Sequence, residues 1–142
     1  MAGVKTYNPK DVVVILGTEV ISGFSEDDMI TIKPVGDGIT GYYGADGEVA
    51  RSIDANNSLE VTITLAQTSD SNNTLMNLHL LDKETGGGLA PLSIKDLSGS
   101  TIAQASQAWV SNIPEVKFGK TIDSNEWTIL TGQASTYVGG NN

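Results

Sequence analysis

The sequence predicts a mainly β fold with one helix packed against the sheet, and three observations support this prediction. Residues 59–65 alternate strictly between apolar and polar side chains, as in a strand with one buried face. Residues 71–83 instead place leucines at helical spacing. The dipeptide at 46–47, Asp-Gly, is the strongest short signal for a tight hairpin.

The other strands are indicated by β-branched content and by alternation. Near the carboxyl end, Trp127 and Ile129 fall on one face of such a strand. Residues 102–109 fit either a short helix or a strand, because Ala, Ser and Gln do not decide between the two. The predicted strands, besides 59–65, are 12–16, 29–35, 116–118 and 126–138.

Residues 71–83, SNNTLMNLHLLDK, are expected to form the flanking helix. Ser69, Asp70 or Ser71 is available to cap its first turn, and the glycines at 86–88 are able to end it. The leucines at helical spacing are Leu75, Leu78 and Leu81.

A protruding β-hairpin is predicted over about residues 38–53. Counted outward from a two-residue turn at 46–47, the opposing pairs are Ala45 with Glu48, Gly44 with Val49, Tyr43 with Ala50 and Tyr42 with Arg51. In this register the Arg51 guanidinium lies across the Tyr42 ring, and neither face carries a continuous apolar surface. Natural proteins suppress an exposed strand edge of this kind unless it pairs with another chain.

Composition excludes several classes of protein. The 17 acidic residues against 8 basic ones give a formal charge of −9, so tight binding to nucleic acid through phosphate neutralisation is not expected of a monomer. With no Cys, a disulfide, a thiolate nucleophile and a Cys-ligated metal are impossible. The longest apolar run, residues 12–16, is too short to span a bilayer. We expect a soluble chain without a signal peptide or a membrane partner.

Two nucleotide-binding patterns fail in their context. Residues 36–41 match G-x-G-x-x-G, but the residues after them lack helical periodicity and Asp37 would place a negative charge in the phosphate cradle. Residues 119–121, Gly-Lys-Thr, match the end of a P-loop, but Pro114 stands where its first Gly is required. We therefore expect the glycines at 36–41 to be turn residues leading into the hairpin.

No catalytic residue, cofactor or metal is predicted. The turns that begin at Asp54 and Asp70 resemble calcium loops, but Leu59 and Leu75 occupy the position that requires Gly. His79, the single His, lies between leucines of the predicted helix and is expected to be a packing residue. A carboxylate pair for glycoside hydrolysis stays open, because separation in space is not readable from the sequence.

Taken in order, nine short blocks resemble the tail tube proteins of contractile-tailed bacteriophages. The resemblance covers nearly the whole chain. The blocks are YNPK at 7–10, GF at 23–24, ITIK at 30–33, GADGEVARS at 44–52, VTITLAQTS at 61–69, PLSIKDL at 91–97, AW at 108–109, FGK at 118–120 and EW at 126–127.

The resemblance implies a small β-sandwich or barrel with one flanking helix, occupying residues 1–142 as a single domain with extended or flexible ends at 1–10 and 139–142. Six copies would close into a ring, and rings would stack into a hollow tube through which phage DNA passes without specific binding. The implied partners are other copies of the chain and the tail sheath, tape-measure, baseplate and tail terminator proteins. The implied location is the virion tail, assembled in the bacterial cytoplasm.

The resemblance also suggests roles for particular residues. The hairpin would contact neighbouring subunits, and acidic side chains in the lumen would repel DNA phosphates. The acidic lumen candidates are Glu48 and Glu60. The hairpin candidates are Tyr42, Tyr43, Asp46, Gly47, Glu48 and Arg51.

Three other functions remain open at this point. The tube of a type VI secretion or tailocin-like injection machine shares the same architecture. A monomeric carbohydrate-binding β-sandwich is the second, although Trp109 and Trp127, the available sugar platforms, both lie within apolar patterns that indicate core. A hydrolase using a carboxylate pair is the third.

Overall fold

The computed structural model describes residues 3–26 and 29–140 and shows a mainly β fold with one long helix. The predicted ends at 1–10 and 139–142 fall partly outside the described residues. A short 3-10 helix, Pro9–Asp11, precedes the first strand, and the α-helix α1 spans Ser71–Thr85. The strands are β1 Val12–Leu16, β2 Glu19–Ile21, β3 Ile30–Pro34, β4 Ile39–Tyr43, β5 Val49–Ile53, β6 Leu59–Ala66, β7 Ala90–Asp96, β8 Ile102–Asn112, β9 Ser124–Thr131 and β10 Ala134–Tyr137.

Eight strands form one antiparallel sheet in the order β2-β1-β7-β8-β9-β6-β3, with β10 also paired to β8. Strand β8 is long enough to hold two partners on one edge. Its first half pairs with β10 and its second half with β9, while β7 lies along the other edge. A register shift in the β7–β8 pairing bends the sheet where these two halves meet.

The segment after β2 brings the two ends of this sheet together. Phe24 forms a bridge with Leu65 of β6, and the carbonyl of Gly23 accepts a hydrogen bond of 2.8 Å from the Ala66 amide. The chain therefore runs directly from one edge strand, β2, to β6 on the far side, and the sheet curves round its core. This arrangement confirms the predicted class, a β-sandwich or barrel with one flanking helix.

The core lies on the concave face of the sheet, and β6 contributes its centre. Every second side chain of β6 is buried, whereas the intervening ones are half-buried. Neighbouring strands contribute the same alternation, and Trp127 and Ile129 of β9 are buried on the predicted face. The large, fully buried side chains are Val14, Leu16, Val61, Ile63, Leu65, Leu75 and Ile129.

Helix α1 packs mainly on β8, and its bounds agree with the predicted 71–83. It ends at Gly86, whose φ of 70° is left-handed, as the glycine run indicated. Leu75 is fully buried, whereas Leu81 is exposed. His79 places Nδ1 2.9 Å from the carbonyl oxygen of Val110, which accepts only, so this nitrogen carries the proton. His79 is thus a packing residue, as predicted.

Asn72 joins the start of α1 to the sheet. Its side-chain amide donates to the carbonyls of Ala66 and Ser69, at 3.0 and 2.9 Å. Its Oδ1 accepts from the indole Nε1 of Trp127 at 2.9 Å and from Asn125 at 3.2 Å. One side chain therefore closes the β6–α1 turn and satisfies the polar atom of a buried tryptophan.

Several predicted elements differ from the observed ones. The predicted strand at 116–118 is wrong, because these residues are exposed and lie in the connection between β8 and β9. The predicted strand 126–138 is two strands, β9 and β10, separated at residues 132–133. Residues 102–109 are strand, and β2 and β7 were not predicted. Within the described residues, no helix is long and apolar enough to span a membrane.

We predict that Asn72→Ala destabilises the protein by about 1–3 kcal/mol, because it leaves the indole N–H of Trp127 without its acceptor. Chemical denaturation followed by tryptophan fluorescence measures this change. The matched control is Asn73→Ala, since Asn73 is the exposed neighbour on the same helix turn, and we expect a change within about 0.5 kcal/mol. Equal losses from both substitutions would contradict this role of Asn72.

Candidate assembly surfaces

Strands β4 and β5 form a separate two-stranded hairpin that leaves the main sheet between β3 and β6. Every residue of both strands is exposed. An isolated two-stranded hairpin is only marginally stable in water, and a stable one needs a third strand or a packing partner. The hairpin predicted over 38–53 is therefore present and has no packing partner in the described part of this chain.

The turn of this hairpin differs from the predicted one by one residue. Gly44 donates to the carbonyl of Glu48 at 2.7 Å, and Gly47 donates to the carbonyl of Gly44 at 3.0 Å. The loop thus contains three residues, Ala45 to Gly47, and Gly47 adopts the left-handed φ of 92° that closes such loops. The predicted register is wrong. The observed pairs are Ile39 with Ile53, Thr40 with Ser52, Gly41 with Arg51, Tyr42 with Ala50 and Tyr43 with Val49.

This shift of register produces an amphipathic hairpin, because a one-residue slip changes which side chains share a face. Four large apolar side chains now project from one face, and each is 62–76% exposed: Ile39, Tyr43, Val49 and Ile53. We call this set the hairpin apolar face. The pair Gly41 and Arg51 lies between the two apolar pairs on this same face, so the expectation of little continuous apolar surface holds. Tyr42 lies on the other face, away from Arg51, so the predicted stacking of these two side chains is also wrong.

Asp54 fixes the base of the hairpin. Its two carboxylate oxygens accept the backbone N–H groups of Asp37 at 2.8 Å and Asn56 at 2.9 Å, and its own N–H donates to the carbonyl of Gly38. Gly36 fits here because a Cβ would lie 2.3 Å from the Asn56 carbonyl oxygen. The hydrogen bonds from Asp37 and then Asn56 hold the pKa of Asp54 below its ordinary value of 3.8.

A second exposed apolar segment is the connection from β8 to β9, residues 113–123, which we call the Phe118 loop. Gln67 holds the loop at two points: its side chain donates to the carbonyl of Lys117, in the middle of the loop, and accepts from the N–H of Asp123, at its end, at 2.9 Å. Phe118 is 91% exposed. The other exposed apolar side chains of the loop are Ile113, Val116 and Ile122.

The convex face of the sheet is polar across β3, β6 and β9. Directly opposed residues of an antiparallel pair project from the same face, so Lys33, Glu60 and Leu130 form one row. Thr31, Thr62 and Thr128 form the next row. The predicted lumen candidate Glu60 therefore lies half-buried in a polar surface, opposite a lysine.

The structure places three of the six predicted hairpin residues at the tip and the other three on strands β4 and β5, and it separates the two lumen candidates. Asp46, Gly47 and Glu48 lie in or beside the turn, where Asp46 Oδ1 accepts the Glu48 N–H at 3.1 Å. Glu60 lies on the main sheet instead. Among the described residues, no group of three or more His, Asp or Glu is placed to hold a metal ion.

Two features were missed by reasoning from the sequence. The hairpin apolar face depended on the loop length, and Gly at the third loop position was the available signal. The Phe118 loop was misassigned because Val116 and Phe118 have high strand propensity. Its lysines and flanking Gly and Pro residues were the signal for an exposed segment.

The fold and these surfaces define a β-rich chain with unpartnered apolar protrusions, and comparison with known proteins assigns its family. The family model described as Bacteriophage PhiTE tail tube protein matches residues 15–139. "Structural protein ORF10" of Pseudomonas phage KPP10 is 33% identical over 150 residues, covering 99% of this chain and 87% of that protein. The chain belongs to the PhiTE tail tube family, and is thus a structural component of a phage virion.

Two solved structures share the fold of this chain. The tube-terminating cap of the anti-feeding prophage aligns with a TM-score of 0.62 and 10% identity, over 96% of this chain and 94% of that chain. The sheath/tube terminator of an extracellular contractile injection system, PVC, in its extended state aligns with a TM-score of 0.61 and 13% identity. The alignment covers 96% of this chain and 100% of that chain. At these identities the likeness shows the fold alone.

We predict that acidification releases the hairpin base. Because the pKa of Asp54 is lowered in the folded protein, its stabilising bonds are complete above 3.8 and are lost as the pH falls through the lowered value. In NMR titrations, the amide shifts of Asp37 and Asn56 should move together with a midpoint below 3.8.

Asp54→Asn is the control for this titration. Asn offers one acceptor oxygen in place of two, so one of the two amides should lose its hydrogen bond at every pH and the shared transition should disappear. A midpoint at or above 3.8 in the unaltered protein, or an unchanged titration in the variant, would contradict the role of Asp54.

Proposed function

We propose that six copies of this chain close into a ring and that rings stack to form the inner tail tube, a hollow conduit for phage DNA. The observation that carries this proposal is the match to the tail tube family over residues 15–139. The whole chain acts as one domain, and its function is structural, without catalysis. Tail sheath, tape-measure, baseplate and terminator proteins are the proposed partners, and assembly takes place in the bacterial cytoplasm.

The exposed apolar surface supports self-assembly. Soluble monomers rarely expose contiguous apolar patches unless these bind a partner, and an isolated hairpin adds two unpaired strand edges. A closed ring of identical copies covers both kinds of surface at once. The hairpin, with Tyr42, Tyr43, Asp46, Gly47, Glu48 and Arg51, is proposed to contact a neighbouring copy.

The polar convex face of β3, β6 and β9 is the proposed lining of the lumen. Its threonines offer hydroxyls, and in every copy two carboxylates, Glu60 and Glu126, outnumber the one cation of these rows, Lys33. Repeated carboxylates repel the phosphates of passing DNA, which therefore moves without being held. Glu48, at the hairpin tip, is proposed to face the lumen as well, at the junction between one ring of subunits and the next ring of the stack.

A second candidate is a terminator that ends the tube with a single ring. The observation that favours it is that both solved structures above are described as a tube-terminating cap or a sheath/tube terminator. Tubes of secretion or tailocin-like machines share the same architecture and predict the same assembly as a phage tube.

Negative-stain electron microscopy of the purified, concentrated protein separates these functions. Long hollow tubes are expected for the tail tube, and isolated rings that never stack would indicate a terminator. A persistent monomer that binds glycans would instead indicate a carbohydrate-binding module and overturn the proposal.

We predict that Val49→Asp abolishes assembly, because it places a charge in the hairpin apolar face. The matched control is Ala50→Asp, the next residue on the same strand, which projects from the opposite face and is also exposed. Sedimentation velocity should show monomer for the first variant and assemblies for the second. Assembly of Val49→Asp at unaltered levels would contradict a contact through this face.

We predict that tubes carrying Glu60→Lys retain DNA at low salt, because the substitution replaces a repelling charge by a cation in every copy of the lining. Binding is measured by co-sedimentation of short duplex DNA with the tubes. Glu84→Lys, an exposed substitution on α1, changes the net charge equally and should leave DNA unbound. Equal retention by both variants would place Glu60 outside the lumen.

A further inference from the structure

The two exposed apolar segments lie at opposite ends of one strand. The hairpin enters β6 at Leu59, its first residue. The Phe118 loop enters β9 at Ser124, which pairs with Ala66, the last residue of β6. Eight residues of strand span about 23 Å, so the attachment points of the two segments are separated by most of the length of the fold.

The two segments also differ in charge. Within residues 36–54 the hairpin and its base carry four carboxylates, Asp37, Asp46, Glu48 and Asp54, against the single cation Arg51. The Phe118 loop carries Lys117 and Lys120 on either side of its exposed ring, and its two carboxylates, Glu115 and Asp123, lie nearer its ends. The loop as a whole is neutral, whereas the hairpin and its base carry a net charge of −3, and the middle of the loop, residues 116–120, has two cations and no carboxylate.

We propose that the hairpin apolar face of one copy binds the Phe118 loop of a second copy, so that successive copies associate head to tail. This inference rests on the proposed self-assembly and identifies the surface that receives the hairpin. Phe118, Val116 and Ile113 supply apolar side chains for Tyr43 and Val49 to cover. Lys117 and Lys120 then lie within reach of the carboxylates at the hairpin tip, which adds complementary charge to the contact.

The charges disfavour the competing contacts. Two hairpins meeting each other would bring together like-charged tips, which costs free energy. The groove beside the Phe118 loop is lined by Glu26 and Asp123 as well as by Phe24 and Ile122, so an acidic hairpin is repelled from it. The segment 117–120, where the two lysines flank Phe118 and no carboxylate is present, is the part that attracts the hairpin.

When the contact joins two different surfaces, every open assembly keeps one unpaired hairpin at one end and one unpaired Phe118 loop at the other. Such a heterologous contact does not stop at a dimer but continues into a ring or an open stack. The placement of hairpin and loop at opposite ends of β6 gives each copy one donor surface and one acceptor surface. The Phe118 loop therefore explains how a hairpin at only one end of the fold can join copies indefinitely.

The natural absence of Cys makes the contact directly testable by disulfide cross-linking. Val49 and Phe118 are both exposed, so neither substitution removes core packing. The full-length double variant Val49→Cys with Phe118→Cys is concentrated, oxidised and run on a non-reducing denaturing gel. Each single variant is treated in parallel, and Glu84→Cys with Phe118→Cys is the control that moves one thiol to helix α1. Electron microscopy of the same samples before oxidation records whether tubes are present.

The expected result is a ladder of covalent dimers, trimers and higher species from the Val49/Phe118 pair alone. Dimers from Val49→Cys alone would show that hairpins meet each other, and would overturn the inference. Tubes without a ladder would also overturn it and leave the proposed tube intact. A ladder from samples without tubes would support the contact and contradict the tube. Neither tubes nor ladder would overturn both.

Discussion

The strict alternation along β6 is the constraint on which the rest of the structure depends. Its four buried side chains, Leu59, Val61, Ile63 and Leu65, form the centre of the core, and its register sets which residues of β3 and β9 point outward. Because the period is two, the same strand buries an apolar face and presents a polar one. Core formation and the polar convex surface are therefore two results of one pattern.

Within a single copy, the packed part of the fold reaches only to the base of the hairpin. Asp54 orients the two hairpin strands through bonds to Asp37 and Asn56, but within the described residues nothing covers their apolar face. A two-stranded ribbon has no second layer of its own, so its apolar face can be buried only by another chain. The same reasoning applies to Phe118. The Gln67 side chain donates a hydrogen bond to the carbonyl of the preceding residue, Lys117, and the Phe118 ring is left exposed at the surface. Local hydrogen bonds in both places position apolar side chains that the single copy does not use.

The elements with a long and regular pattern could be predicted from the sequence, whereas those that depend on a loop length or on a short pattern could not. Strand β6 and helix α1 were predicted because their periodicity lies within one segment. The hairpin register was wrong because Asp46-Gly47 fits both a two-residue and a three-residue loop, and one residue exchanges the faces. Strand β7 was missed although its residues alternate between buried and more exposed, because its apolar positions are few and Pro91, a residue depleted in strands, lies among them. The assembly surfaces followed these errors: the apolar face emerged only with the correct register.

The central claim is that this chain alone builds a hollow tube. In that tube the polar face of β6 faces the axis, and the hairpin of each copy binds a second copy. Electron cryo-microscopy of assemblies of the purified protein tests it most directly. The account predicts a hollow tube of six-fold rings in which Glu60 faces the axis and Val49 lies against Phe118 of another copy. A solid filament, or a tube with Glu60 on its outer surface and the hairpin exposed to solvent, would contradict the account.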